Sequence, residues 1–168
     1  MSETHLKQLC EETYNKLKKV SMEVERFLNQ VTLAQLVEQS GDPEEYADYY
    51  RAFLSDLRHL LVYSENAYEK LGAALRRARF DEPLAEELLY QVYQSCINSF
   101  YYPRGEGYDE DGRRSYTGEE TIFFRKQVTA ELAKLVLSLS RVFEQLRDEL
   151  HYYETDYLAK KRHSLTTA

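Results

Sequence analysis

Seven side chains between positions 101 and 116 combine forked donors with stacking rings. Arg104, Arg113 and Arg114 supply guanidinium groups, and Tyr101, Tyr102, Tyr108 and Tyr116 supply aromatic faces. Guanidinium forks pair with phosphate or carboxylate oxygens two at a time, and aromatic faces hold bases with little regard to their identity. The set predicts a site for an anion, a nucleotide or a single-stranded nucleic-acid segment. The same arginines have a competing use within the chain. From Asn98 to Glu120 three arginines stand among six acids, including Glu106, Asp109, Glu110 and Asp111, which favours self-pairing that locks the segment over the rest of the fold.

Other chemistries fail on particular residues. Asp109, Asp111, Ser115, Thr117 and Glu120 follow calcium-loop spacing, but Arg114 stands where the sharp turn needs glycine and Arg113 where a ligand oxygen belongs. Gly105-Glu-Gly107 lacks the third glycine and the Lys-Ser/Thr pair of a phosphate cradle. Two Asp-x-x-His pairs, Asp56/His59 and Asp148/His151, resemble the Glu-x-x-His ligands of di-metal bundles. At about 100° per residue, His59 lies about 200° and Asp56 about 260° from Leu57, and Asp148 and His151 lie about 200° and 140° from Leu146. Both pairs therefore face away from the apolar seams, onto solvated helix faces. Cys10 and Cys96 sit on or beside apolar faces, where a thiol is a small core residue. The expectation is a protein without catalytic constellation, metal or cofactor.

Composition sets the frame. A chain of 168 residues with 43% hydrophobic and 30% charged residues is expected to form one soluble domain. A formal net charge of −7 makes nucleic acid an unlikely general partner. No apolar run approaches the roughly 20 residues of a membrane span. The polar start Met-Ser-Glu-Thr-His has no signal pattern, and two cysteines do not make a disulfide framework, so the cytoplasm is the expected compartment.

The elements that must position these residues read as helices. Leu6, Leu9, Thr13, Leu17, Val20, Val24, Phe27 and Val31 recur at threes and fours, predicting a helix from about Glu3 to Gln30. Thr32-Leu-Ala-Gln35 has the form of a capping box, which predicts a short second helix to Gly41 and leaves open whether the first continues through Thr32. Asp42-Pro43-Glu44-Glu45 is a strong helix start, followed by a stripe from Tyr50 to Leu75 and an end near Arg79, with Gly72 a weak point. Asp81-Glu82-Pro83 restarts the chain for a shorter helix to Asn98. Thr117-Gly-Glu-Glu120 is a second capping box, before a seam that runs from Val128 through Leu135 and Leu146 to Tyr153.

The predicted fold is mainly α, an antiparallel bundle of four to five helices in a single domain, 1–168. A small β-hairpin or ordered loop over 99–120 is inserted before the last helix, and 159–168 forms a flexible tail. The short helix would leave its longer neighbours uncovered, and Phe100-Tyr101-Tyr102 and Ile122-Phe123-Phe124 are placed to cover that gap.

Fifteen tyrosines and no tryptophan supply rings with a polar tip, suited to margins where apolar surface meets water or a partner. Tyr46, Tyr49, Tyr50, Tyr152, Tyr153 and Tyr157 are the candidate protein-contact rings. The segments Ser115-Tyr-Thr-Gly118 and Glu149-Leu-His-Tyr-Tyr-Glu-Thr-Asp-Tyr157 resemble those of the YpuI-like family, a group of small uncharacterised bacterial proteins. The resemblance covers most of the chain and implies a bacterial cytoplasmic protein with no assigned activity, cofactor or catalytic residue. The leading expectation is a non-enzymatic helical protein that binds an unidentified protein or a copy of itself. Anion, nucleotide or single-strand binding through the arginine–tyrosine segment is the alternative.

Overall fold

The computed structural model describes residues 2–103 and 126–167, and every regular element among them is helical. Helix α1 (Glu3–Gln30) buries the predicted stripe from Leu6 to Phe27, and Ser2 caps it by accepting from the His5 amide at 3.2 Å. The chain leaves the helix at Val31. Thr32 and Gln35 then form a reciprocal capping box that opens α2 (Leu33–Ser40), so α1 does not continue through Thr32. Gly41, at φ 77°, ends α2 in the left-handed conformation that a side chain resists. Asp42 accepts from the Glu45 amide and Pro43 opens α3 (Pro43–Leu75).

Helix α3 buries Tyr50, Phe53, Leu54, Leu57, Leu60, Ser64 and Leu71, and it stops four residues short of the expected Arg79. Gly72 is a seat for a neighbour. The Tyr14 ring of α1 rests on it so closely that a Cβ there would meet Tyr14 Cε2 at 2.9 Å. Tyr14 in turn meets Tyr68 edge to face, 5.7 Å between centroids. Helix α1 lies mainly against α3 and also meets the helices Glu82–Gln91 and Ala130–Glu149.

The predicted short helix is a longer composite rod: α4 (Glu82–Gln91), a π-helical segment (Val92–Ile97) and α5 (Asn98–Tyr101). Beyond Ala85, its buried residues come in adjacent pairs every fourth position, Leu88/Leu89, Val92/Tyr93, Cys96/Ile97 and Phe100/Tyr101. Four residues of α-helix turn about 400°, so such pairs drift by about 40° per repeat. The wider π turns absorb that drift and keep all four pairs inward.

The rod corrects the expectation that an insertion begins at residue 99. Helix continues to Tyr101 because Phe100 and Tyr101 are each only 2% exposed. Phe100 stacks on Phe143 at 4.3 Å, and the Arg147 guanidinium lies 4.5 Å from the Tyr101 ring centre. Phe100 and Tyr101 of the first aromatic flank therefore pack against the neighbouring helices, whereas Tyr102 is 44% exposed. The expected hairpin, the Thr117 capping box and the second flank, Ile122-Phe123-Phe124, lie outside the described residues. No strand occurs among the described residues.

Helix α6 (Ala130–Glu149) is capped by Thr129, which accepts from the Leu132 amide. Val128, expected on its seam, precedes the helix, and Leu135 is half-buried; Leu132, Val136, Leu139, Phe143 and Leu146 carry the burial. Lys16 pairs with Glu149 at 2.6 Å and Ser138 donates to Glu23 at 3.0 Å, so α6 runs antiparallel to α1. At Leu150 the helix breaks into a 3₁₀ turn (His151–Tyr153), followed by α7 (Asp156–Thr167). The residues expected as a tail from 159 are helical to Thr167.

Candidate functional site

Arg104, Arg113, Arg114, Tyr108 and Tyr116 lie outside the described residues. The two remaining members of that set part company. Tyr101 is a core ring whose hydroxyl makes no hydrogen bond among the described residues. Burial pushes its pKa up to about 12, with Arg147 pulling the other way and Glu144 and Asp148 adding to the rise. Tyr102, 44% exposed, faces out at the end of the rod.

The six candidate contact rings form two clusters. Tyr46, Tyr49, Tyr50 and Phe53 make an aromatic column at the start of α3, with Tyr46 and Tyr50 stacked at 5.5 Å. Tyr50 is 1% exposed, and its hydroxyl engages the Thr129 backbone. Lys126 pairs with Glu45 at 2.6 Å and lies 5.4 Å above the Tyr46 ring. This column fastens the approach to α6 onto α3. Tyr50 belongs to the core, and Tyr46 and Tyr49 are half-buried.

The second cluster builds a groove of about 590 Å³ between α4 and α7. Pro83, Leu84, Tyr152 and Tyr157 line it, and Asp81, Glu86, Glu87, Lys160 and Lys161 supply its charges. Tyr153 lies beneath, 1% exposed, 5.0 Å from the Tyr152 ring and 5.4 Å from Tyr157. The Tyr157 hydroxyl donates to Glu87 at 3.2 Å, and Lys161 reaches the same carboxylate oxygen at 3.4 Å. Burial raises the pKa of Tyr157 and Tyr153, and Glu87 and Glu86 beside them raise it further. The groove joins an apolar floor to a rim of both charge signs.

A second concavity, about 470 Å³, opens between α3 and the composite rod. Asp56, His59 and Tyr63 line one wall, and Gln94, Asn98, Ser99, Tyr102 and Pro103 the other. The expected outward angles of Asp56 and His59 hold: His59 is exposed and Asp56 half-buried, and both stand at the edge of the cleft that the rod forms with α3. Sequence reasoning missed this site because periodicity reports a residue's angle on its own helix and not the neighbour alongside. The i, i+3, i+7 spacing of Asp56, His59 and Tyr63 was the available signal.

The π segment organises the wall. Gln94 donates to the Tyr153 and Glu154 carbonyls at 3.4 Å each, and Asn98 donates to Gln94 Oε1 at 3.1 Å. Behind it the Cys96 thiol donates to the Tyr63 carbonyl at 3.4 Å. Burial pushes the Cys96 pKa up to about 12, and burial with Glu11 does the same to Cys10. Both thiols therefore remain protonated at neutral pH, the unreactive form. Among the described residues no three His, Cys, Asp or Glu side chains converge as metal ligands, and no helix is long and apolar enough to cross a membrane.

Comparison with known proteins gives a family and no activity. Residues 10–159 match the family described as "Protein of unknown function (DUF3907)". The chain is similar to the "Uncharacterized protein YpuI" of Bacillus subtilis (strain 168), 40% identical over 131 residues that span 78% of this chain and 72% of that protein. No solved structure matches.

Proposed function

The chain belongs to the family described as Protein of unknown function (DUF3907), and from that premise we propose that it is a non-enzymatic protein that works by binding protein, its own second copy first. The observation that carries this reading is the α4–α7 groove. Its tyrosine and leucine floor and charged rim have the anatomy of a protein interface, where aromatic rings concentrate at the centre and charge at the edge. Helix α7 also supplies a matching occupant. Leu165 is 74% exposed, and Arg162 and His163 just before it make a basic segment whose charge complements the acidic Asp81 and Glu86 of the groove. A reciprocal exchange of this kind closes as a two-fold dimer. The two sealed, protonated thiols support binding in preference to covalent chemistry.

Sedimentation equilibrium tests the reading. The wild-type chain is expected to dimerise and Leu165→Glu to be monomeric with unchanged helicity. A wild-type chain that stays monomeric at high micromolar concentration overturns self-association.

A second reading, binding of an anion, nucleotide or single strand by the arginine–tyrosine segment, draws support from Tyr102, an exposed ring at the chain's entry into that segment. It expects salt-sensitive binding that is lost when Arg113 and Arg114 become alanine.

A further inference from the structure

No residue at the α6–α7 junction is a helix breaker, yet the helix breaks there. Leu150-His-Tyr-Tyr-Glu-Thr155 holds neither glycine nor proline. A seven-residue repeat runs straight through it, with Leu139, Leu146 and Tyr153 in one row, Phe143, Leu150 and Tyr157 in the next, and all six buried. Such rows belong to the seam of one uninterrupted helix. The backbone stays close to helical, with Glu154 at φ −65°, ψ −54° and Leu150 at φ −104°, ψ 14°. The amides of Tyr153 and Glu154 reach carbonyls three residues back, at 2.8 and 3.0 Å, where a continuous helix uses the fourth.

The bend is imposed by a neighbour. Gln94 of the π segment donates to the Tyr153 and Glu154 carbonyls, which in a continuous helix would accept from the Tyr157 and Leu158 amides. The Tyr153 hydroxyl meets Glu86 at 3.5 Å. Beyond the bend α7 is lightly held. Among its described residues Tyr157 is the one buried side chain, and Glu87 alone receives both Tyr157 and Lys161. An element with so few buried contacts opens at low cost.

We propose that the α6–α7 junction is a latched hinge, and that two copies associate by straightening it, so that each α7 leaves its own α4 and packs on the α4 of the other. This rests on the self-association proposed above and assigns its form. The contacts of Tyr157 and Lys161 with Glu87 are remade between copies, and the same element passing in both directions closes a two-fold pair. The hold of Gln94 on the junction belongs to the closed monomer alone.

The test combines sedimentation with cross-linking of the full-length chain. In Glu87→Cys/Lys161→Cys protein, a short bis-maleimide is expected to join position 87 of one copy to position 161 of the other, giving a covalent dimer on a denaturing gel. Cys10 and Cys96 are buried and stay out of the reaction. Gln94→Ala is expected to tighten the dimer several-fold, because it loosens only the closed monomer. Asp156→Pro suits the first position of α7 but interrupts a continuous helix, and it is expected to weaken the dimer about a hundredfold or more with the monomer's circular dichroism unchanged. A dimer linked only within each chain overturns the swap and leaves self-association standing, whereas a wild-type chain monomeric at high micromolar concentration overturns both. A dimer unmoved by Asp156→Pro, or weakened by Gln94→Ala, also overturns the swap.

Discussion

Replacing Gly72 by alanine should reverse its effect on stability according to what occupies position 14. Alanine in a helix interior is favoured over glycine by about 0.8–1.0 kcal/mol, so propensity alone predicts a more stable protein. The structure opposes that gain. A Cβ on residue 72 would sit 2.9 Å from Tyr14 Cε2 and 3.5 Å from Tyr14 Cδ2, a separation that forces the ring to move. The ring is held by its edge contact with Tyr68, with Lys18 lying 5.9 Å from its centre. Overpacking of this kind costs about 1–3 kcal/mol, so G72A should be destabilising by about 1 kcal/mol net. The Arg76 Nη1 atom at 3.1 Å is the end of an exposed side chain and swings away cheaply. In a Tyr14→Ala background the obstacle is gone, and the same change should stabilise by about 1 kcal/mol. Urea unfolding of the four variants, read at constant m-value, closes the double-mutant cycle. If G72A has the same sign in both backgrounds, the seat for Tyr14 does not constrain this position.

Three further outcomes follow from the packing. Phe100→Ala removes a 2%-exposed ring stacked on Phe143 and should cost about 3–5 kcal/mol; a loss under about 1 kcal/mol in urea unfolding would detach α5 from the core. Gln94→Ala should cost about 1 kcal/mol and speed amide exchange in the 3₁₀ turn and the start of α7 while leaving α1 protected, because its amide holds the Tyr153 and Glu154 carbonyls. Alkali should unfold the protein cooperatively. Cys10 and Cys96 are raised from 9.0, and Tyr93 and Tyr101 from 10.0, each to about 12. Above pH 9 the unfolded chain loses these protons first, so their stabilisation is whole below that pH and falls away as pH rises towards 12. Phenolate absorbance and circular dichroism should change in one step; phenolates that titrate gradually in a folded protein would contradict it.

Much of the fold was legible residue by residue. Thr32 with Gln35, Asp42 with Pro43, and Gly41 all act where their types placed them. The stripe of α1 is buried as its spacing required. Less was legible wherever two rules compete. A period of four reads as helix, and nothing local shows that the accumulated drift will be absorbed by a π turn between Val92 and Ile97. Thr129 was overlooked as a cap because Val128 before it continued the apolar spacing of the helix. Tyr50 and Tyr153 stood both on apolar seams and among the candidate contact rings, and packing against other helices buries both, as the seams required. The cleft was hidden for a related reason: the outward angles of Asp56 and His59 on α3 say nothing of the rod that stands alongside.

What the amino-acid order determined by itself was the helical class, the caps and turns, and the angular face of each side chain, because those depend on residues within about four positions of one another. Which faces meet was decided only by the tertiary structure. Asp56 and Asn98 line one cleft from different helices, the neighbour of Gly72 is Tyr14 on another helix, and the partner of Tyr157 is Glu87, seventy residues away. Those juxtapositions come from packing whole rods against each other, and no local propensity contains them.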